Sequence, residues 1–330
     1  MRLAVIDLGT NTVRLLVGEP DGAGGYRPIF ATQEITRLGQ GLLPTRMLQP
    51  EPIQRTLATL FRFRQAAERH GATRVMVVGT SALREARNRE AFTACARSQC
   101  GIDVRVISGE QEACLTLRGI RAALGISSGR ILAMDIGGGS TEFVLADGPE
   151  ILSVISTEIG VVQLTEAHLK GDPPLPGEIA AVRDAVTALL KPLRPREWLK
   201  SFRGPSAEGV LCVGTAGTVT TLAAIDLALE PYDPVRMNGH RLSYRRIQAL
   251  CAELAARPIA ERQQVPGLEP ARADVIVAGA LVCLGVMEAL DFPEITVSDG
   301  GLREGIFLDL LTQTEADCGG PRELDKSGGF

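Results

Sequence analysis

"MDIGGGSTEFVLADG", residues 134–148, joins two apolar strand patterns through three glycines and two hydroxyl residues. A weaker copy, "AVIDLGTNTVRLLVGEPDG", stands at residues 4–22. A tight turn between strands needs positive φ somewhere, and glycine supplies it at little cost. One glycine would satisfy that need. Gly137, Gly138 and Gly139, followed by Ser140 and Thr141, add several backbone N–H groups with no Cβ in the way and two hydroxyl donors. Such a nest suits phosphate oxygens. Gly9, Thr10, Asn11 and Thr12 take the same places in the first copy. Asp135 and Asp7 end the strands ahead of the turns, where a carboxylate can hold a divalent cation directly or through water. A glycine-requiring hairpin without a ligand explains either copy alone. Two copies, each with its aspartate, favour the phosphate reading.

Outward from the hairpins the chain reads as an alternation of strands and helices. "LAVIDLG", "TVRLLVGE" and "YRPIFATQEITRL" are three strands in a row. Ile53, Leu57, Leu60, Phe61 and Phe63 predict a helix over 50–70 that Gly71 stops. "RVMVVGT" and "DVRVI" are strands, with helix expected over "SALREARNREAFTACARSQC" and "GEQEACLTLRGIRAAL". From "GRILAMDIG" the same order starts again and ends with strand "EITVSD" and helix "LREGIFLDLL". A repeated strand-strand-strand-helix-strand-helix unit describes two related α/β domains with mixed sheets, facing each other across a cleft. The boundary is expected at "ISSGR", giving domains 1–125 and 126–302, the first completed by the C-terminal helix 303–314. The Gly-rich, charged tail 315–330 is expected to be disordered.

Composition narrows the function. The 330 residues are 45% hydrophobic, 22% charged and only 4% aromatic, so Leu, Ile, Val and Ala must build the core. A net charge of −4 argues against general nucleic-acid binding, DNA included. The basic residues are nearly all Arg, the better side chain for bidentate phosphate contacts. No apolar run has the length of a membrane span, and the N-terminus lacks the pattern of a signal peptide, so a cytoplasmic location is expected. Seven cysteines without metal-type pairing read as reduced thiols, and three scattered histidines offer little for a zinc site or a Ser-His-Asp triad.

The hairpins resemble the two phosphate motifs of the actin, sugar kinase and heat-shock ATPase superfamily. Within it, "DLGTNTVRLLV", "RLGQGL", "GTSALREARN", "VISGEQEA", "DIGGGSTEF", "GTAGTVTTLA", "RADVIVAGAL" and "SDGGLREG" resemble the exopolyphosphatase / guanosine pentaphosphate phosphohydrolase (Ppx/GppA) family over residues 3 to about 310. The resemblance implies two duplicated actin-like (ribonuclease H-like) domains with mixed five-stranded sheets flanked by helices and an interdomain cleft. It implies Glu112 as the catalytic glutamate that handles the attacking water. A carboxylate at the start of a cleft helix suits that role. Glu110, two residues earlier, better satisfies a plain helix-dipole explanation. Asp135 and Glu142 match the acidic pair near the metal and water, and Asp7 stands in the equivalent place of the first copy. Arg84 and, more loosely aligned, Arg272 match phosphate-facing arginines. Asn11 and Gly137 match phosphate contacts. Arg37 reads as structural, and no contact is assigned to Val161.

The resemblance therefore implies metal-dependent release of orthophosphate from the end of inorganic polyphosphate, with a short-chain preference because the chain stops soon after its second domain. It leaves open 5′-hydrolysis of pppGpp, or a (p)ppGpp/ATP-binding sensor with vestigial hydrolysis. A sugar or acetate kinase is disfavoured because no catalytic Asp for a sugar hydroxyl is evident. Mg²⁺ is the implied cofactor, with Mn²⁺ or a monovalent cation such as K⁺ as further options. A homodimer and inhibition by (p)ppGpp belong to the same set of expectations; a membrane partner does not.

Overall fold

The computed structural model describes residues 1–43, 45–191 and 209–318. The first sheet contains β1 (Arg2–Leu8), β2 (Thr12–Pro20), β3 (Tyr26–Ile35), β4 (Ala72–Gly79) and β5 (Val104–Val106) in the order β3-β2-β1-β4-β5. The first three strands form an antiparallel meander, and β4 and β5 continue parallel from β1. Helix α1 (Pro50–Arg69) crosses over between β3 and β4, and Gly71 leaves it at φ +77°. Phe61 is 47% exposed, so it stands outside the buried stripe of Leu57, Leu60 and Phe63.

The helix expected over 81–100 is broken. It runs as α2 (Ser81–Glu85) and α3 (Arg89–Cys95), with Ala86 extended between them and a wider turn to Cys100. The break has a cause: the Asn88 side chain accepts from Leu48 N at 2.9 Å and donates to Leu48 O at 3.1 Å. Arg87 N also donates to Arg46 O. The 46–48 loop thus takes backbone partners that a continuous helix would use itself.

The second sheet repeats the plan with β6 (Arg130–Ile136), β7 (Thr141–Asp147), β8 (Glu150–Thr157), β9 (Val210–Thr215) and, further on, β11 (Glu294–Val297). It carries a sixth strand, β10 (Arg241–Ser243), antiparallel on the β11 edge, so its order is β10-β11-β9-β6-β7-β8. The longer helices from α4 onward are α4 (Gly109–Leu124), α5 (Val161–His168), α6 (Pro176–Leu190), α7 (Ala216–Asp226), α8 (Tyr244–Ala255), α9 (Ile276–Leu290) and α10 (Leu302–Cys318). α9 starts five residues later than its apolar pattern suggests, after a 3₁₀ turn at Pro270–Arg272. α10 continues to Cys318, four residues into the expected tail; the remainder of that tail, 319–330, lies outside the described residues.

Both faces of each central strand are buried, which explains their continuous apolar runs. On β1, Ala4, Ile6 and Leu8 pack toward α1, while Leu3 and Val5 pack against Ile306, Phe307 and Leu310 of α10. On the second sheet, Leu132, Met134 and Ile136 face the helical layer that includes α7 and α9. Ile131, Ala133 and Val144 instead meet Ala113, Leu117 and Ile120 of α4. The helix that follows the first sheet in sequence therefore packs on the second sheet, and the last helix returns to the first. Between the sheets α4 and α10 cross with almost no side chain separating them. A Cβ on Gly119 would lie 1.9 Å from Gly301 O, and one on Gly305 would lie 1.8 Å from Leu115 O.

No rearrangement of side chains relieves a clash with backbone oxygen. Gly119→Ala or Gly305→Ala should destabilise the chain by about 1–3 kcal/mol or more, read as a fall of several degrees in the calorimetric midpoint. Gly177→Ala, in α6 with nothing within 4 Å of its added Cβ, should leave the midpoint unchanged or raise it.

Candidate active site

The two hairpins meet tip to tip. Each is closed by the same bond, Gly9 N to Thr12 O at 3.0 Å and Gly137 N to Ser140 O at 2.9 Å. None of Gly9, Gly137, Gly138 and Gly139 has positive φ. Positive φ is therefore not why these positions are glycine; close approach is. A Cβ on Gly138 would sit 3.2 Å from Asn11 Cβ, and one on Gly139 would sit 2.6 Å from Ser81 Oγ and 2.8 Å from Thr10 Oγ1. The "RLGQGL" loop braces the first tip from behind: Arg37 N donates to Asn11 O and Gly39 N to Thr10 O, both at 2.9 Å. Arg37 itself, at φ +53°, reaches across to the second half, donating to Asp274 Oδ2 at 2.6 Å and Ala271 O at 2.9 Å.

A cavity of about 620 Å³ opens where the tips meet. Of the candidate residues, Asp7, Gly9, Thr10, Asn11, Thr12, Glu112, Asp135, Gly137, Gly138, Gly139, Ser140 and Arg272 all line it. Glu142, Arg84 and Thr141 are not among its lining residues. The Thr141 hydroxyl donates to Ile159 O at 2.6 Å, inside the core. Arg84 is a bridge: Nη1 donates to Glu112 Oε2 at 2.7 Å and to Ile107 O at 3.2 Å, while Nη2 lies 3.6 Å from Glu142 Oε1. Its guanidinium serves two glutamates, not the open space of the cavity.

α4 begins with a capping box, Ser108 Oγ accepting from Gln111 N and Gln111 Oε1 accepting from Ser108 N. That cap sets the helix phase, so Glu110 is exposed and Glu112 is buried against the cavity. Burial, reinforced by the nearby Glu142 and Asp135, pushes the Glu112 carboxyl well above the usual range despite Arg84. Burial and the charge of Asp135 push Glu142 to about 7. Burial also brings Asp135 to about 6 against the pull of Arg14, with Asp7 adding repulsion, and it raises Asp7. Clustered carboxyls with raised pKa values in a cleft are what a site for acid–base or metal chemistry looks like.

The site contains residues that sequence reasoning missed. Arg14 lines the cavity with its Nη1 3.3 Å from Asp7 Oδ2. Gly217 admits the Arg272 guanidinium, for a Cβ there would be 2.1 Å from Arg272 Nη1. Arg272 then reaches Thr12 Oγ1 at 3.3 Å and Glu269 Oε2 at 2.9 Å. Ala216, ahead of it, is held at φ +64°, a strained value for a residue with a Cβ. Leu229, Tyr232 and Leu268 also line the cavity. Arg14 had a signal, since it follows Asp7 by the spacing that separates Glu142 from Asp135. Leu229 and Leu268 had none, because ordinary core leucines look the same.

The fit of a divalent cation can be judged from Asp7. Its Oδ1 is buried without a hydrogen-bond partner among the described residues. A cation beside Asp7 and Asp135 would satisfy that oxygen and relieve the repulsion between the two carboxylates. No group of three or more metal-ligating side chains occurs among the described residues. Two carboxylates completed by water and phosphate oxygens are the donor set Mg²⁺ favours, so the residues fit.

Residues 19–314 match the family described as the Ppx/GppA phosphatase family. The chain belongs to that family. It is 35% identical to "Exopolyphosphatase 2" of Mycobacterium tuberculosis, over 94% of this chain and 98% of that one. It is 29% identical to a "Guanosine-5'-triphosphate,3'-diphosphate pyrophosphatase" of Vibrio atlanticus, covering 94% of this chain but only 59% of that longer relative. The solved exopolyphosphatase of Cytophaga hutchinsonii superposes with a TM-score of 0.84 at 30% identity, over 95% of this chain and 98% of that one. The duplicated α/β architecture is thus the actin-like fold of the Ppx/GppA proteins. Cys95, Cys100, Cys114, Cys212, Cys251 and Cys283 are free, four of them buried, and no helix among the described residues is long and apolar enough to cross a membrane.

The raised carboxyls make stability depend on pH. A carboxyl with a higher pKa folded than unfolded binds its proton more tightly in the folded chain. Its stabilising contribution is full below the unfolded value and is lost as pH rises through the folded one. For Asp135 and Glu142 that window runs from near pH 4 to about 7. In EDTA, the urea midpoint should fall between pH 5 and pH 8, and Glu142→Gln should flatten that fall.

Proposed function

We propose that the chain is an exopolyphosphatase that hydrolyses the terminal phosphoanhydride bond of inorganic polyphosphate and releases orthophosphate. The observation that carries this reading is Glu112: a buried carboxylate held by Arg84 at 2.7 Å, on the wall of a cavity formed by two facing glycine hairpins. The Gly9–Thr12 and Gly137–Ser140 turns present backbone N–H groups and hydroxyls to the terminal phosphoryl group. Arg272 faces the same space and takes the next phosphate. Arg84 fixes Glu112 through Oε2, and the other carboxylate oxygen receives the proton of the attacking water. Glu142 stands behind that pair, where Ser156 Oγ donates to its Oε1 at 2.8 Å. It keeps Arg84 in place. Positioning of this kind carries most of phosphoryl-transfer catalysis. A divalent cation on Asp7 and Asp135, Mg²⁺ or Mn²⁺, would supply charge neutralisation at the phosphoryl oxygens.

The 35% identity to "Exopolyphosphatase 2", against 29% to the guanosine pentaphosphate relative, supports polyphosphate as substrate. A second reading draws on Leu229, Tyr232 and Leu268 among the residues that line the cavity. Apolar and aromatic walls suit a flat base, so pppGpp is the alternative substrate and (p)ppGpp or ATP a candidate inhibitor.

Glu112→Gln should lower orthophosphate release from short polyphosphate by roughly 10²–10⁴-fold, while binding of the same polyphosphate by calorimetry persists. Undiminished release would sink the role of Glu112. Faster release from pppGpp than from polyphosphate, compared at equal concentration with Mg²⁺, would select the second reading.

A further inference from the structure

The two hairpins are copies, yet they differ in charge at one matched position. In β6–β7, Asp135 stands directly opposite Glu142; in β1–β2, Asp7 stands directly opposite Arg14. One hairpin therefore sets a carboxylate beside a carboxylate, and the other sets a cation there. Arg14 Nη1 is 3.3 Å from Asp7 Oδ2, and its Nε is 3.4 Å from Gln33 Oε1 on β3. Its side chain keeps 23% of its exposure, against 4% for Asp7. Its positive charge also acts on Asp135. The other charged pair close enough to act on Asp7, Arg303 and Glu304, is engaged with itself.

We propose that Arg14 is a built-in counter-cation for Asp7 and Asp135, which keeps the resting site from holding a free divalent ion and yields to one that arrives with phosphate. A metal ion on the unpartnered Asp7 Oδ1 shares its carboxylate with the guanidinium held at Oδ2, so it must displace Arg14 or accept a cation in contact with the same group. Free metal gains only two protein carboxylates in exchange. A metal–phosphate complex brings more. Its phosphate oxygens complete the coordination shell, and they also offer the displaced guanidinium a planar, bidentate partner. Metal and phosphate therefore bind cooperatively, each strengthening the other by the same factor. Arg14 changes partner from Asp7 to substrate as the site fills.

This inference rests on Asp7 and Asp135 as the metal side of the site, but its test needs no turnover. Mn²⁺ is titrated into the substrate-free full-length chain, and the bound fraction is read from loss of the free-ion electron paramagnetic resonance signal. Arg14→Gln and Arg14→Met should bind Mn²⁺ at least tenfold tighter than wild type, and Arg14→Lys should stay near wild type. Adding Asp7→Asn to Arg14→Gln should remove the gain. Orthophosphate should tighten Mn²⁺ binding by wild type by a larger factor than it does for the neutral variants, which lack the guanidinium that phosphate would take up. Equal or weaker Mn²⁺ binding by both folded neutral variants overturns the proposal, whether or not the chain releases phosphate from any substrate. Should neither variant fold, the wild type alone decides: Mn²⁺ binding that orthophosphate does not tighten overturns it.

Discussion

The crossing of α4 and α10 sets the rest of the molecule. Each helix lies between the sheets and follows one sheet in sequence while packing on the other. They approach so closely at Gly119, Gly300 and Gly305 that only glycine fits. Seven residues, about 10 Å along a helix, separate Gly119 from Glu112 on α4. Thr116, between them, donates to Asp135 Oδ2 at 3.4 Å. The crossing thus fixes the height of α4 relative to both hairpins. A looser crossing would move Glu112 and Thr116 together, away from Arg84 on one side and Asp135 on the other.

Burial decides the electrostatics. Asp7, Asp135, Glu112 and Glu142 are each 8% exposed or less. Carboxylates taken so far from water lose more in hydration than they regain unless a partner is close. The fold supplies partners sparingly: Arg84 lies between the two glutamates and Arg14 lies beside Asp7. What is not compensated appears as raised pKa values, and it is held there by packing that has no other use for those positions. The carboxyls are strained toward accepting a proton or a cation, which is the property a hydrolytic site needs before substrate arrives.

The architecture was legible because duplication repeats its own evidence. Two strand-turn-strand patterns, each with an aspartate before the turn, mark the sheets and the line where they face one another. Glu112 was singled out by the family resemblance rather than by any local pattern; the capping box that turns it inward and leaves Glu110 exposed is a finding of the structure. The reason for the glycines was not legible. Sequence suggests positive φ, whereas the structure shows hairpin tips pressed together, a constraint between residues more than a hundred positions apart. A contact 40 positions apart in sequence likewise hid the break between α2 and α3, which Leu48 imposes through Asn88. The sixth strand, β10, was missed because a three-residue edge pairing leaves no periodicity to read. Arg84 was found, but as a bridge between acids; a spacing cannot say which way an arginine points.

The charges can be counted across the site. Arg272 is paired with Glu269 and Arg303 with Glu304, so each of those pairs is neutral. Around the two hairpins stand four carboxylates, Asp7, Asp135, Glu112 and Glu142, against two guanidiniums, Arg14 and Arg84; Glu230 and Asp299, which also line the cavity, are outside this set. If all four acids ionise, the balance is two negative charges, the amount one divalent cation neutralises. Had the first hairpin kept a glutamate opposite its aspartate, as the second does, the same set of groups would carry four. No single cation could neutralise that, and a polyanionic substrate would be repelled. The divergence of the two copies at Arg14 and Glu142 is therefore a condition for a duplicated acidic hairpin to serve a phosphate substrate.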